Sequence, residues 1–115
     1  KGFDEDLLIC EDYDLWLRLT SQNPVLFIEK PLIIKYGGHQ DQLSTNNGGI
    51  ERYHIKSLEK LIKQDFDYKQ ETLIKSTLIK KLKIYANGAK KRGKEKTYKK
   101  LKKRINDLTY KAWVY

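Results

Sequence analysis

Carboxylates dominate the side chains here that can do chemistry, and they come in close groups: Asp4-Glu5-Asp6, Glu11-Asp12-Tyr13-Asp14 and Asp65-Phe66-Asp67. Two acids one residue apart suit more than one kind of work. At the end of a buried strand they can share a divalent cation and the diphosphate it carries. In the first turn of a helix they complement the helix dipole, or one of them takes a proton from a bound hydroxyl. The three settings argue against the metal. Asp4-Glu5-Asp6 lies beside a glycine turn, Asp12 and Asp14 fall within a predicted helix, and Asp65 and Asp67 stand between two predicted helices. A helix cap and a solvated turn are the plainer roles for that last pair. Cys10 has no partner base nearby in the sequence and reads as a small buried residue. His54 falls on the inward face of a helical pattern beside Tyr53 and Leu58 and reads as structural.

The elements that position these groups follow from periodicity. Residues 11–19 form a dense block of acids and large apolar side chains without a breaker, predicting a buried helix that ends before Ser21-Gln22-Asn23-Pro24. Trp16, between Leu15 and Leu17, reads as core in preference to the wall of a ligand subsite. Residues 25–28 and 32–36 are β-rich runs on either side of Glu29-Lys30-Pro31, and the proline confines them to edge strands or one broken strand. Residues 37–49 have turn composition, from Gly37-Gly38-His39 to Gly48-Gly49. Beyond Ile50 the period becomes helical. Ile50, Tyr53, His54, Ser57, Leu58 and Leu61 make one apolar stripe, and Ile74, Leu78, Leu82 and Tyr85 make a second, expected to stop near Asn87-Gly88 or Gly93. Tyr98, Leu101, Ile105 and Leu108 make a third, with the three-four spacing of a narrow packing seam. The expected fold is mainly α with a short β hairpin or pair of strands, an α+β arrangement of an acidic front (1–47) and a basic helical extension (48–115).

Composition bounds what such a chain can be. Its 115 residues allow one compact core. No apolar run reaches the ~18 residues of a membrane span, and no charged-then-apolar leader opens the chain. A single cysteine forbids an internal disulfide and fits a reducing compartment. The absence of methionine predicts a piece of a longer polypeptide. Charge is divided along the chain. Residues 1–45 hold four bases against eight acids, net −4, whereas residues 46–115 hold 20 bases against seven acids, net +13.

The run Gly2-Phe3-Asp4-Glu5, followed by Glu11-Asp12-Tyr13-Asp14-Leu15-Trp16-Leu17-Arg18, resembles the second half of the catalytic domain of family 2 glycosyltransferases. That family has a Gly-x-Phe-Asp-Glu turn ahead of a Glu-Asp-x-Asp-Leu-x-x-Arg helix, and the resemblance extends over residues 1–55, including His39 to Ser44 as its His-x-x-x-x-Ser loop. It implies the C-terminal part of a GT-A-type α/β domain followed by about three helices. It also implies an inverting transfer of a sugar from a nucleotide-sugar donor to an acceptor hydroxyl. Asp12 would be the general base, with Glu11 orienting the acceptor or the base. His39 and Ser44 would touch the donor, with His39 completing the ligand set of a divalent metal (Mg²⁺ or Mn²⁺). A surface turn histidine is the alternative for His39. Asp14 and Arg18, four residues apart, read as a structural ion pair. The nucleotide-binding half and its Asp-x-Asp are missing, so this piece alone is expected to be inactive. The Gln-x-x-Arg-Trp signature of processive synthases is also missing.

The resemblance implies a nucleotide sugar and a glycan or lipid-linked acceptor as partners, in the cytoplasm or peripherally at the inner face of the membrane. The lysine-rich rear offers a different function, a helical module binding nucleic acid or an anionic membrane surface. With only Arg92 and Arg104 in the run from Lys90 to Arg104, nucleic acid is the weaker of these two partners. The crowded apolar side chains of residues 7–36 predict self-association of the isolated piece.

Overall fold

A computed structural model describes residues 2–36 and 49–111. They form four helices: α1 (Glu11–Thr20), α2 (Glu51–Leu61), α3 (Tyr68–Lys91) and α4 (Glu95–Lys111). Helix contacts follow chain order, α1 on α2, α2 on α3 and α3 on α4. No described helix is long and apolar enough to cross a membrane.

The core is the overlap of the three predicted stripes. Leu58 of α2, Leu78 and Leu82 of α3 and Leu101 and Ile105 of α4 are buried in one cluster, with Tyr13 and Leu17 of α1 packed at its edge. Each fully buried leucine contributes about 1.5–3 kcal/mol of transfer free energy, so these few positions carry much of the drive to fold.

Capping explains where α3 begins. Asp67 has extended backbone (φ −65°, ψ 163°), and its carboxylate accepts the Gln70 N–H at 2.8 Å while the Gln70 side chain accepts the Asp67 N–H. That reciprocal box satisfies two helix-end donors at once. The helix then runs through Asn87-Gly88 instead of stopping there. Buried Ala86 and Ala89 extend its stripe under α4, and this burial outweighs the ~1 kcal/mol that glycine costs inside a helix. It ends at Gly93, whose φ of 66° lets the Lys94 N–H reach back to the Ala89 carbonyl at 2.9 Å.

Two expectations fail. The described residues contain no strand, so neither the β hairpin of the α+β expectation nor a part of a GT-A-type α/β sheet is present among them. Residues 24–29 and 31–36 lack helix, and among the described residues none pairs with them in a ladder. Their β-rich composition records a preference for a pleated, half-buried surface, and that preference makes a strand only where a partner supplies the hydrogen bonds. These residues stay uncovered: Leu26 is 88% exposed, Phe27 81% and Ile33 83%. The helix over residues 11–19 forms but is not buried all round. Trp16 is 60% exposed, and the one fully buried residue of α1 is Asp14.

Candidate functional site

α1 opens on a strained residue. Cys10 has φ 62° and ψ 25°, a left-handed conformation uncommon outside glycine, and its side chain makes no capping hydrogen bond. Glu11, Asp12 and Asp14 fill the first turn behind it. At about 100° per residue, Asp12 and Asp14 stand roughly 200° apart around the helix axis, so the two carboxylates of this Asp-x-Asp face opposite ways.

Asp14 faces inward, 1% exposed, and is fully committed to protein partners. Its Oδ2 accepts from Arg18 Nε at 2.9 Å, the ion pair expected one helical turn on, and its Oδ1 accepts from Lys60 Nζ of α2 at 2.8 Å. Lys60 also pairs with Asp4, and Arg18 Nη2 donates to the Gly2 carbonyl at 2.7 Å. These contacts tie the segment before α1 to two helices around a polar cleft of about 550 Å³. Burial by itself would lower the Lys60 pKa, but hydrogen bonds to Asp14 and Asp4 outweigh it and hold the ammonium above its ordinary value. The Asp4 carboxyl is held below its ordinary value, first by the Lys60 hydrogen bond and then by the Asp6 backbone N–H.

Asp12 and Glu11 border a second cleft. It measures about 410 Å³, and Ile9, Cys10, Lys35, Ile50 and His54 complete its wall. Asp12 is exposed. Its Oδ1 accepts the Tyr13 N–H at 2.7 Å, and no cation pairs with it among the described residues. The His54 ring lies 4.1 Å from the Tyr13 ring, tilted by 34°. Its Nδ1 is 3.7 Å from Glu51 Oε2, beyond hydrogen-bond range, and neither atom has a hydrogen-bond partner among the described residues. Burial first, and the charge of Lys81 second, push the His54 pKa below its ordinary 6.5, so a neutral imidazole faces the cleft at pH 7. The Cys10 thiol is pushed up by burial and then by Asp12 and Glu11, which keeps it protonated and unsuited to nucleophilic attack.

This arrangement can bind a hydroxylated ligand and take a proton from it. One carboxylate has no ion-pair partner among the described residues, a second stands beside it, and a neutral imidazole and Lys35 offer further hydrogen-bonding groups. A resident cation does not fit the described residues: no three of their His, Cys, Asp or Glu side chains converge, and Asp4 and Asp14 are already neutralised by Lys60 and Arg18. His39 and Ser44, expected at the donor and the metal, lie outside the described residues. Asp67 is the helix cap that its setting suggested.

Two residues of these clefts escaped the sequence reading. His54 was placed on the inward face of α2, yet it also walls the cleft beside Asp12; Glu51, three residues before it, was the sequence's sign that its ring would meet a charge. Lys60 carried no sign at all, since its partner Asp14 is 46 residues away.

Comparison with protein families, with curated proteins and with solved structures returned no match to this chain.

Proposed function

We propose that this chain supplies the acceptor side of an inverting glycosyltransferase, with Asp12 as the general base that takes the acceptor hydroxyl's proton. The observation that carries this reading is the division of labour between two acids of one helical turn. Asp14 is buried and held by Arg18 and Lys60, while Asp12 is exposed at the rim of a cleft and has no ion-pair partner among the described residues. A base needs the second arrangement, because a carboxylate already paired with an ammonium is a poor proton acceptor. Asp12 also lies in the first turn of α1. Glu11 beside it orients the acceptor. The donor is a nucleotide sugar, the acceptor a glycan or a lipid-linked saccharide, and the setting the cytoplasm, in keeping with a lone cysteine kept as a thiol.

The test is Asp12→Asn in the full-length protein that carries this segment, assayed against a panel of nucleotide sugars. Turnover should fall by at least ~10² with donor affinity unchanged, the scale expected for loss of a positioned base. Turnover within a few fold of the unsubstituted protein would remove Asp12 from the reaction.

A further inference from the structure

We infer that the outer face of α4 docks the protein on an anionic lipid surface. Residues 90–104 hold ten bases and one acid, a net +9 that equals the formal charge of the whole chain. The fold turns that composition into a face. Leu101 and Ile105 point α4 into the core, and Lys96, Lys99, Lys100 and Lys103, at helical spacings of three and four, lie on the opposite side and are exposed. Lys99 reaches Glu95 only at 4.0 Å, and the other three have no carboxylate partner among the described residues. A stripe of ammonium groups over about two turns, with only one distant carboxylate beside it, attracts polyanions through phosphate charge.

Lipid headgroups fit this face better than nucleic acid does. Nucleic-acid sites favour the planar fork of arginine and an aromatic ring on which bases stack. Of the two arginines of the run, Arg104 pairs with Glu59 and the Arg92 guanidinium folds back over Gly88. The ring of Tyr98 is half-buried, with Lys90 Nζ 5.6 Å from its centroid. What remains is a row of lysines on flexible stems, matched to a diffuse layer of negative charge that asks for no base readout.

The experiment is co-sedimentation of the 115-residue chain with phosphatidylcholine vesicles, with or without about 25 mol% phosphatidylglycerol. Binding should require the anionic lipid and fall at least ~10-fold between about 0.05 and 0.5 M salt. Lys96→Gln, Lys99→Gln, Lys100→Gln and Lys103→Gln together should abolish it, with helix content unchanged by circular dichroism. The salt series on the unsubstituted chain stands even if that variant fails to fold. Equal binding to the neutral vesicles would assign docking to the exposed apolar residues 25–36 and overturn the inference. So would tighter binding to a single-stranded oligonucleotide than to the anionic vesicles at the same salt, or no binding at low salt.

Discussion

Lys60 of α2 donates to Asp14 of α1 at 2.8 Å, joining two helices through residues 46 apart in sequence, and the carboxylate it meets is 1% exposed. A buried acid of this kind holds its surroundings together because it is the shared acceptor of Lys60 and Arg18. Removing it takes from both cations their most buried partner, at a cost of about 3 kcal/mol. Asp14→Ala should therefore lower the urea midpoint by about that free energy, and Lys60→Met by less, since the Lys60 side chain is 38% exposed. A midpoint within ~0.5 kcal/mol of the unsubstituted chain for Asp14→Ala would mean that the network holds nothing.

Acid should destabilise the fold through His54. Its folded pKa lies below the ordinary 6.5, so the stability tied to its neutral form is complete above that value and is lost as the pH falls through the folded pKa. Asp4, also held below its ordinary value of 3.8, adds a further loss only at lower pH. Thermal melts from pH 7.5 to pH 5 should show a falling midpoint in the chain and a flatter profile in His54→Gln. Parallel profiles would place the titrating group elsewhere.

How far the sequence foretold this fold depended on the range of the forces involved. The stripes through Leu58, Leu78, Leu82, Leu101 and Ile105 repeat within one helix, so local spacing was enough to find the core. The Asp67 cap and the Asp14–Arg18 pair are equally local. Residues 25–28 and 32–36 read as edge strands or one broken strand from composition, but a ladder is a relation between two paired segments, and the described residues contain no such pair. Trp16 misled for a related reason: its apolar neighbours Leu15 and Leu17 suggested burial, whereas the helix turns it outward by about 200° from Asp14. For the site, the placement of Asp12 in the first turn of α1 was readable, and the cleft that His54 completes was not, because it forms between helices distant in sequence.

The two ends of α3 should respond separately. Asp67→Ala removes the cap on the Gln70 N–H and should cost about 1 kcal/mol. Gly93→Ala puts a Cβ on a residue at φ 66° and should cost about 1 kcal/mol as well, although no side chain stands within 4 Å to clash with it. The sites lie at opposite ends of a 24-residue helix, so the double variant should lose the sum of the two within ~0.5 kcal/mol by chemical denaturation. A Gly93→Ala variant as stable as the unsubstituted chain would mean that the turn into α4 relaxes without cost.

The exposed segment makes the last prediction. Val25, Leu26, Phe27 and Ile28, then Leu32, Ile33 and Ile34, are each more than half exposed, and both parities of the run are apolar. Alternation would have let an extended segment keep one side in water and the other on the core; here either side brings large apolar side chains to solvent. At ~25 cal/mol per Å², covering even ~300 Å² of this surface is worth ~7 kcal/mol, comparable to the stability of a whole small domain. The four helices do not cover it, and in dilute solution the cover at hand is another copy of the chain. Light scattering at micromolar concentration should therefore report dimers or larger species that bind an exposed-hydrophobe dye. Phe27→Lys combined with Ile33→Lys should shift the population to monomer without lowering helix content, because neither residue touches the core. A monomer in the unsubstituted chain, with no dye bound, would refute the prediction and mean that the segment folds back onto the helices in solution.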